Sequence, residues 1–233
     1  MFRSRLEELS KQNLLRAIQD RASRQGPTIR FDGREFINFA SNDYLGLAGH
    51  PEVSAAVGNS LELFGFGSGA SRLLGGGSTL HEKLEETIAA WKGTETALIL
   101  NSGYSANTGI LPSLAGEGDI IFSDELNHAS IVDGCKLSRA RTVVFRHRDI
   151  THLEDLIRKS PIPPGSRHVV VTDTVFSMDG DIAPLREIYE VCRTYGALLY
   201  LDDAHGTGVL GGGKGALAHV GIRPEPWIIQ MGT

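Results

Sequence analysis

Ala197-Leu198-Leu199-Tyr200-Leu201-Asp202-Asp203-Ala204-His205-Gly206 is the stretch on which the fold turns. Five apolar residues in a row, without the alternation of a half-exposed strand, predict a strand buried on both faces, as in a parallel sheet covered by helices. Asp202 ends that run and His205 follows three residues later. Open α/β sheets bind their ligands outside the carboxyl ends of the strands, so an acid and an imidazole at this place are candidates for chemistry. A carboxylate there can hold a proton on the ring nitrogen of a bound heteroaromatic cofactor.

Outward from this strand, the pattern repeats. Apolar runs at 96–100, 119–122, 142–145, 168–172 and 227–231 alternate with helical periodicity at 52–64, 80–91, 104–114, 129–137, 150–159 and 185–195. Strands alternating with helices predict an α/β fold, a mostly parallel sheet with helices on both faces. Before this region, Ser4-Arg5-Leu6-Glu7 fits a capping box for a helix reaching about Asp20, and 30–39 reads as a short hairpin turning at Asp32-Gly33. A second capping box stands at Thr79-Leu80-His81-Glu82. The expected organisation is an N-terminal helical arm and hairpin over 1–40, then a large domain over 41–233.

Composition narrows the function classes. With 233 residues and 41% hydrophobic content, a sizeable core is available. The net charge is −5 and the basic residues are dispersed, which favours neither a nucleic-acid nor a membrane-surface partner. Cys135 and Cys192 have no metal-ligand spacing and make no disulfide framework, which points to a reducing compartment and no metal site. The start, Met1-Phe2-Arg3-Ser4-Arg5-Leu6, lacks a signal-peptide core, and no eighteen-residue apolar run occurs. The expectation is a cytoplasmic protein.

Several motifs carry the chemistry. Gly206-Thr207-Gly208-Val209-Leu210-Gly211 fits the dinucleotide pattern G-x-G-x-x-G, but Gly212-Gly213-Lys214-Gly215 follows and cannot open the helix that pattern requires. Asn101-Ser102-Gly103-Tyr104-Ser105-Ala106-Asn107 joins a predicted strand to a helix, where free N–H groups can hold a phosphate and Tyr104 can cover a flat ring. His128, in Asn127-His128-Ala129-Ser130, stands at a helix start, which favours the neutral imidazole that can stack on a ring. Ser177 follows the strand at 168–172 and can donate to a ring hydroxyl; Asp179-Gly180-Asp181 beyond it reads as a solvated turn rather than a cation loop. Each alone also fits an ordinary turn or cap. Together, Gly103-Tyr104, His128, Ser177 and Asp202 with His205 all follow strand ends that a doubly wound sheet brings to one rim. Phosphate donors, a stacker, a hydroxyl, an acid and an imidazole describe a site for a phosphorylated aromatic ring, the requirement of pyridoxal 5′-phosphate.

On these motifs, with Ser41-Asn42-Asp43-Tyr44-Leu45-Gly46-Leu47 and Gly67-Ser68-Gly69-Ala70-Ser71-Arg72, the chain resembles the α-oxoamine synthase family of pyridoxal-phosphate enzymes from about Leu6 to Thr233. The resemblance implies the large domain of the fold type I transferases. It implies that the Gly103-Tyr104 backbone holds the phosphate, His128 stacks on the ring, Asp202 pairs with the ring nitrogen, and Ser177 and His205 contact its hydroxyl side. Thr233 matches a threonine that touches the cofactor, and Arg16 an arginine that meets the acyl substrate, with a solvated helix arginine as the alternative. Gly67–Arg72 and Ala204–Gly208 are most similar to members that join L-alanine to a pimeloyl thioester, on coenzyme A or a carrier protein, with loss of CO₂ in biotin synthesis. The family acts as homodimers. Its Schiff-base lysine falls about three residues after the position of Thr233, so the chain as given is expected to lack it, to lack the C-terminal small domain, and to be inactive alone. A glycine- or serine-using member and a lysine-less, non-catalytic partner subunit remain as alternatives.

Overall fold

Asn13 ends the first helix early. In the computed structural model, which describes residues 2–233, α1 runs Phe2–Lys11 instead of reaching Asp20. Asn13 takes a left-handed φ of 55°, the Leu14 N–H returns to the Leu9 carbonyl at 2.8 Å and the Asn13 N–H to that of Ser10 at 3.1 Å. This is a Schellman stop, for which asparagine is one of the few suitable residues. Because α1 begins at Phe2, Ser4 lies inside the helix and the expected capping box does not mark its start. β1 (Thr28–Phe31) and β2 (Arg34–Ile37) form the expected antiparallel hairpin, with Asp32 and Gly33 both at positive φ, as a two-residue turn demands. α2 (Pro51–Phe64) starts on a proline and stops at Gly65. These elements belong to one compact unit, residues 2–66; residues 67–233 form a second.

The second unit opens with α3 (Thr79–Lys92), whose N-cap is Ser78, one residue before the expected box; its N–H donates to His81 Nδ1 at 3.2 Å. There follow α4 (Gly103–Leu114), β3 (Ile120–Asp124), α5 (Ala129–Leu137), β4 (Arg141–Phe145), α6 (Ile150–Arg158), β5 (His168–Asp173), α7 (Leu185–Tyr195), β6 (Leu198–Asp202), α8 (Ala216–His219) and β7 (Ile228–Met231). The five strands make one sheet in the order β4-β3-β5-β6-β7, parallel throughout.

The unbroken apolar runs are explained by burial on both faces. Phe122, Val170, Leu199 and Leu201 pack with Leu153 and Ile157 of α6 and Leu185, Ile188 and Cys192 of α7. Their neighbours Ile121, Val169, Val171 and Tyr200 face the other way, against Ala106 and Leu111 of α4 and Ile131 and Cys135 of α5. Successive residues of one strand therefore serve two cores. Residues 96–100, expected as a strand, form none. The Ile99 N–H donates to Glu85 Oε1 at 2.8 Å, and the Ile99 carbonyl accepts from Arg72. Side chains, not a neighbouring strand, take its backbone groups, and without a ladder there is no strand.

Candidate active site

Three strands of the sheet end in acids: β3 in Asp124, β5 in Asp173 and β6 in Asp202. Asp173 and Asp202 are register partners on adjacent strands, so two carboxylates stand side by side at the carboxyl rim. Asp202 is buried; its Oδ2 accepts from Asn107 Nδ2 at 2.7 Å and its Oδ1 from the Ala204 N–H at 3.1 Å. Burial pushes its carboxyl above the ordinary range, and the two hydrogen bonds work against that rise. Among the described residues no lysine or arginine makes an ion pair with it.

Asn107 ties Asp202 to the predicted stacker. Fully buried on α4, it also donates to Ser130 Oγ at 2.8 Å and accepts from the Tyr200 hydroxyl at 2.7 Å. Ser130 Oγ lies 2.6 Å from His128 Nδ1, and the Ser130 N–H donates to the same nitrogen at 3.2 Å. An acceptor role for Nδ1 leaves Nε2 to carry the ring proton of a neutral His128. The His128 N–H in turn donates to Asp173 Oδ2 at 2.8 Å. The imidazole and the two carboxylates thus belong to one hydrogen-bonded frame, of which the motifs named only His128 and Asp202.

Burial, with the charge of Asp202 second, lifts Asp173 from an ordinary 3.8 to about 7. The folded state therefore holds a proton that the unfolded chain has released, and stability falls as pH rises from about 4 to about 7. Asp173→Asn keeps an acceptor for His128. Without cofactor, this variant should match the parent near pH 4 and exceed it at about pH 8 by a few kcal/mol, because each pH unit crossed in that window costs the parent roughly 1.4 kcal/mol. Urea unfolding at the two pH values measures this; a variant less stable at pH 8 would show the charge to be compensated.

α4 supplies N–H donors near the same rim. Ser102 caps the helix, its Oγ accepting the Ser105 N–H at 3.0 Å, which leaves the N–H groups of Gly103 and Tyr104 as first-turn donors. A Cβ on Gly103 would stand 2.5 Å from Thr233 Cγ2, so glycine is what lets Thr233 approach this helix end. The Tyr104 hydroxyl donates to Asp133 at 2.8 Å. His205, half-buried, lies close enough to Asp202 for their charges to interact. Ser177 stands exposed on the turn after β5, and no hydrogen bond joins it to Asp202 or His128. Arg16 is exposed beyond the end of α1, so it is not the helix residue that the sequence suggested.

Asp203, next to Asp202, faces away from this frame. Its Oδ1 accepts from Thr174 Oγ1 at 2.6 Å and the Ala216 N–H at 3.1 Å; its Oδ2 accepts from Thr207 Oγ1 at 2.8 Å and Lys92 Nζ at 3.1 Å. Lys92 is completed by Thr207 Oγ1 and the Lys214 carbonyl. The glycine loop wraps this pair: a Cβ on Gly215 would fall 1.8 Å from Asp203 Oδ2, and one on Gly206 2.2 Å from Oδ1. The apparent dinucleotide motif is the wrapping of a buried ion pair. Sequence reasoning missed Lys92, which lies 111 residues from its partner.

These residues fit the cofactor expected from the motifs. A buried carboxylate with no lysine or arginine in ion-pair contact is costly, and a protonated ring nitrogen would supply a close cationic partner. Helix N–H groups for a phosphate and an imidazole for stacking complete the set. The sequence profile of the aminotransferase class I and II family matches residues 34–233. The chain belongs to that family. An 8-amino-7-oxononanoate synthase of Geobacter sulfurreducens is 51% identical over 229 residues, covering 98% of this chain and 58% of the relative. A Thermodesulfovibrio yellowstonii protein provisionally given the same name is 59% identical over 233 residues, covering all of this chain and 60% of the relative. Among solved structures, a serine palmitoyltransferase of S. paucimobilis with a PLP–myriocin adduct matches with a TM-score of 0.90 at 32% identity, over all of this chain and 58% of its own. The 8-amino-7-oxononanoate synthase of Francisella tularensis matches with a TM-score of 0.65 at 30% identity, over 79% of this chain and 50% of its own. The chain spans about 60% of the length of the curated relatives it matches. The family's parallel sheet and its flanking helices are those described above, the large domain of a fold type I pyridoxal-phosphate enzyme.

Proposed function

We propose that the protein containing this chain condenses L-alanine with a pimeloyl thioester, releasing CO₂ and giving 8-amino-7-oxononanoate, a step of biotin synthesis. The observation that carries the catalytic part of this reading is Asp202, a buried carboxylate at the end of β6 held by Asn107 and the Ala204 N–H, with no lysine or arginine ion pair among the described residues. The cofactor is pyridoxal 5′-phosphate, whose protonated ring accepts the electron pair left when the Cα proton of the amino acid is removed. Asp202 holds the proton on the ring nitrogen. Gly103 and Tyr104 bind the phosphate through their N–H groups, and His128 stacks on the ring. Ser177 and His205 serve its hydroxyl side, Thr233 contacts the cofactor, and Arg16 meets the acyl substrate. The acyl group arrives on coenzyme A or a carrier protein, and the working form is a cytoplasmic homodimer with the site at the subunit boundary.

The choice of substrates rests on relatives named 8-amino-7-oxononanoate synthase at 51–59% identity. The higher TM-score of the serine palmitoyltransferases favours a second, serine-using reading, but at 32% identity it reports backbone shape more than pocket chemistry. Both are tested by supplying the purified, cofactor-loaded full-length protein with L-alanine, glycine or L-serine against pimeloyl, acetyl and palmitoyl thioesters and identifying products by mass. The expected product is 8-amino-7-oxononanoate from L-alanine and the pimeloyl donor. Turnover restricted to glycine or serine assigns another α-oxoamine synthase; cofactor binding with no turnover on any pair assigns a non-catalytic subunit.

A further inference from the structure

Ser177 sits on a short excursion that leaves β5 and returns to α7. Within it Val175 and Ile182 form an antiparallel bridge, the Ala183 N–H donates to the Thr174 carbonyl at 3.0 Å, and the Phe176 N–H to the Asp181 carbonyl at 3.0 Å. The tip, Ser177 to Gly180, is exposed. One charged cluster anchors its base. His147, just past β4, has Nδ1 at 2.9 Å from Asp124 Oδ1 and Nε2 at 2.9 Å from Asp181 Oδ2. Its ring stands edge-on to Phe176, centroids 4.4 Å apart. Asp181, read from sequence as part of a solvated turn, is half-buried, and its other oxygen is buried without a partner.

Carboxylates only accept hydrogen bonds, so an imidazole between two of them satisfies both by carrying a proton on each nitrogen. Two carboxylates facing the His147 ring favour that cation, Asp124 at the end of β3 and Asp181 on the excursion, while Glu125 accepts the His147 backbone N–H at 2.8 Å. Against it stands Arg148, which donates to Asp181 Oδ2 at 2.9 Å. Burial disfavours the charged ring, yet the bonds to Asp124 and Asp181 outweigh it and raise its proton affinity. After deprotonation, one nitrogen would confront a carboxylate with a lone pair, and one of the two bridges must open.

We propose that His147, as an imidazolium joining Asp124 to Asp181, is a positioning residue that holds the Thr174–Ala183 excursion so that Ser177 can engage the cofactor. This rests on the pyridoxal-phosphate reading. Two measurements test it. In the first, ¹⁵N-imidazole NMR of the protein without cofactor should find His147 protonated on both nitrogens at neutral pH; a neutral His147 there overturns the proposal whatever the site binds. In the second, pyridoxal phosphate is titrated into the protein and the Kd of Ser177→Ala is compared with that of its parent. At about pH 6 the variant should bind about threefold to tenfold more weakly, the worth of one hydrogen bond. At about pH 10, beyond imidazole titration, and in a His147→Gln background at either pH, the ratio should fall toward one. Ratios cancel the titrations common to both proteins. Equal ratios in all backgrounds overturn the positioning role, whereas failure of the parent to bind pyridoxal phosphate at all overturns the cofactor reading instead. Asp181→Asn, which removes the charge but keeps an acceptor, serves in the same cycle if His147→Gln does not fold.

Discussion

In the full-length protein that contains this chain, replacing Asp202 by asparagine is expected to lower kcat by about 10²–10³-fold, the usual worth of a preorganised electrostatic contact in an active site. The ring must stay protonated at nitrogen to accept an electron pair, and a buried carboxylate that makes no ion pair with a lysine or arginine among the described residues is placed for that task. An amide of the same shape has no charge to offer. The substitution also disturbs the frame: both oxygens of Asp202 accept N–H groups, so the new NH₂ must face either Asn107 or Ala204 donor to donor. That mismatch should cost about 1–3 kcal/mol of stability, visible in unfolding experiments. A cofactor analogue whose ring lacks the nitrogen separates the two effects. Loaded with it, parent and Asp202→Asn should be about equally slow. A variant with near-parental kcat on the natural cofactor would mean that the carboxylate is structural.

Lys92→Met should destabilise the protein by about 3–5 kcal/mol, the cost of stranding a buried charge. Lys92 and Asp203 have side chains only 8% and 2% exposed, and each of the three other groups on Asp203 is itself a neutral donor. Without the ammonium, the carboxylate remains buried against Gly206 and Gly215. Asp203→Asn should lose a comparable amount, and the double variant should lose much less than the sum, because neither charge is then left alone. Chemical unfolding of the four proteins measures this coupling. Strictly additive losses, or a loss under about 1 kcal/mol for Lys92→Met, would contradict the account of the glycine loop as the enclosure of an ion pair.

The contrast between Asp202 and Asp203 shows what sequence could and could not reveal. Asp202 was legible because the apolar run before it fixes where the strand ends and hence where the acid stands. The same reasoning placed His128 after β3 and found the strands from β3 to β7, whereas Gly103 opens α4 without the strand at 96–100 that was expected to precede it. Asp203, Lys92, Asp173 and His147 were not legible. Their roles depend on partners 23 to 111 residues distant, brought together only by the sheet order. Local chemistry explains the remaining differences. Asn13 stops α1 through a left-handed turn that helical periodicity does not register, and 96–100 has the composition of a strand but no strand beside it.

The measurement that bears most directly on the central claim is the ¹⁵N resonance of the ring nitrogen in pyridoxal phosphate, labelled at that position and bound to the protein. If Asp202 is the partner of that nitrogen, the bound cofactor should show a pyridinium resonance that persists well above the pH at which the free cofactor loses it, and Asp202→Asn should move it to the value of a neutral pyridine. A neutral pyridine resonance in the parent protein, or a pyridinium resonance unaffected by Asp202→Asn, would contradict the assignment of Asp202 and with it the reading of the site.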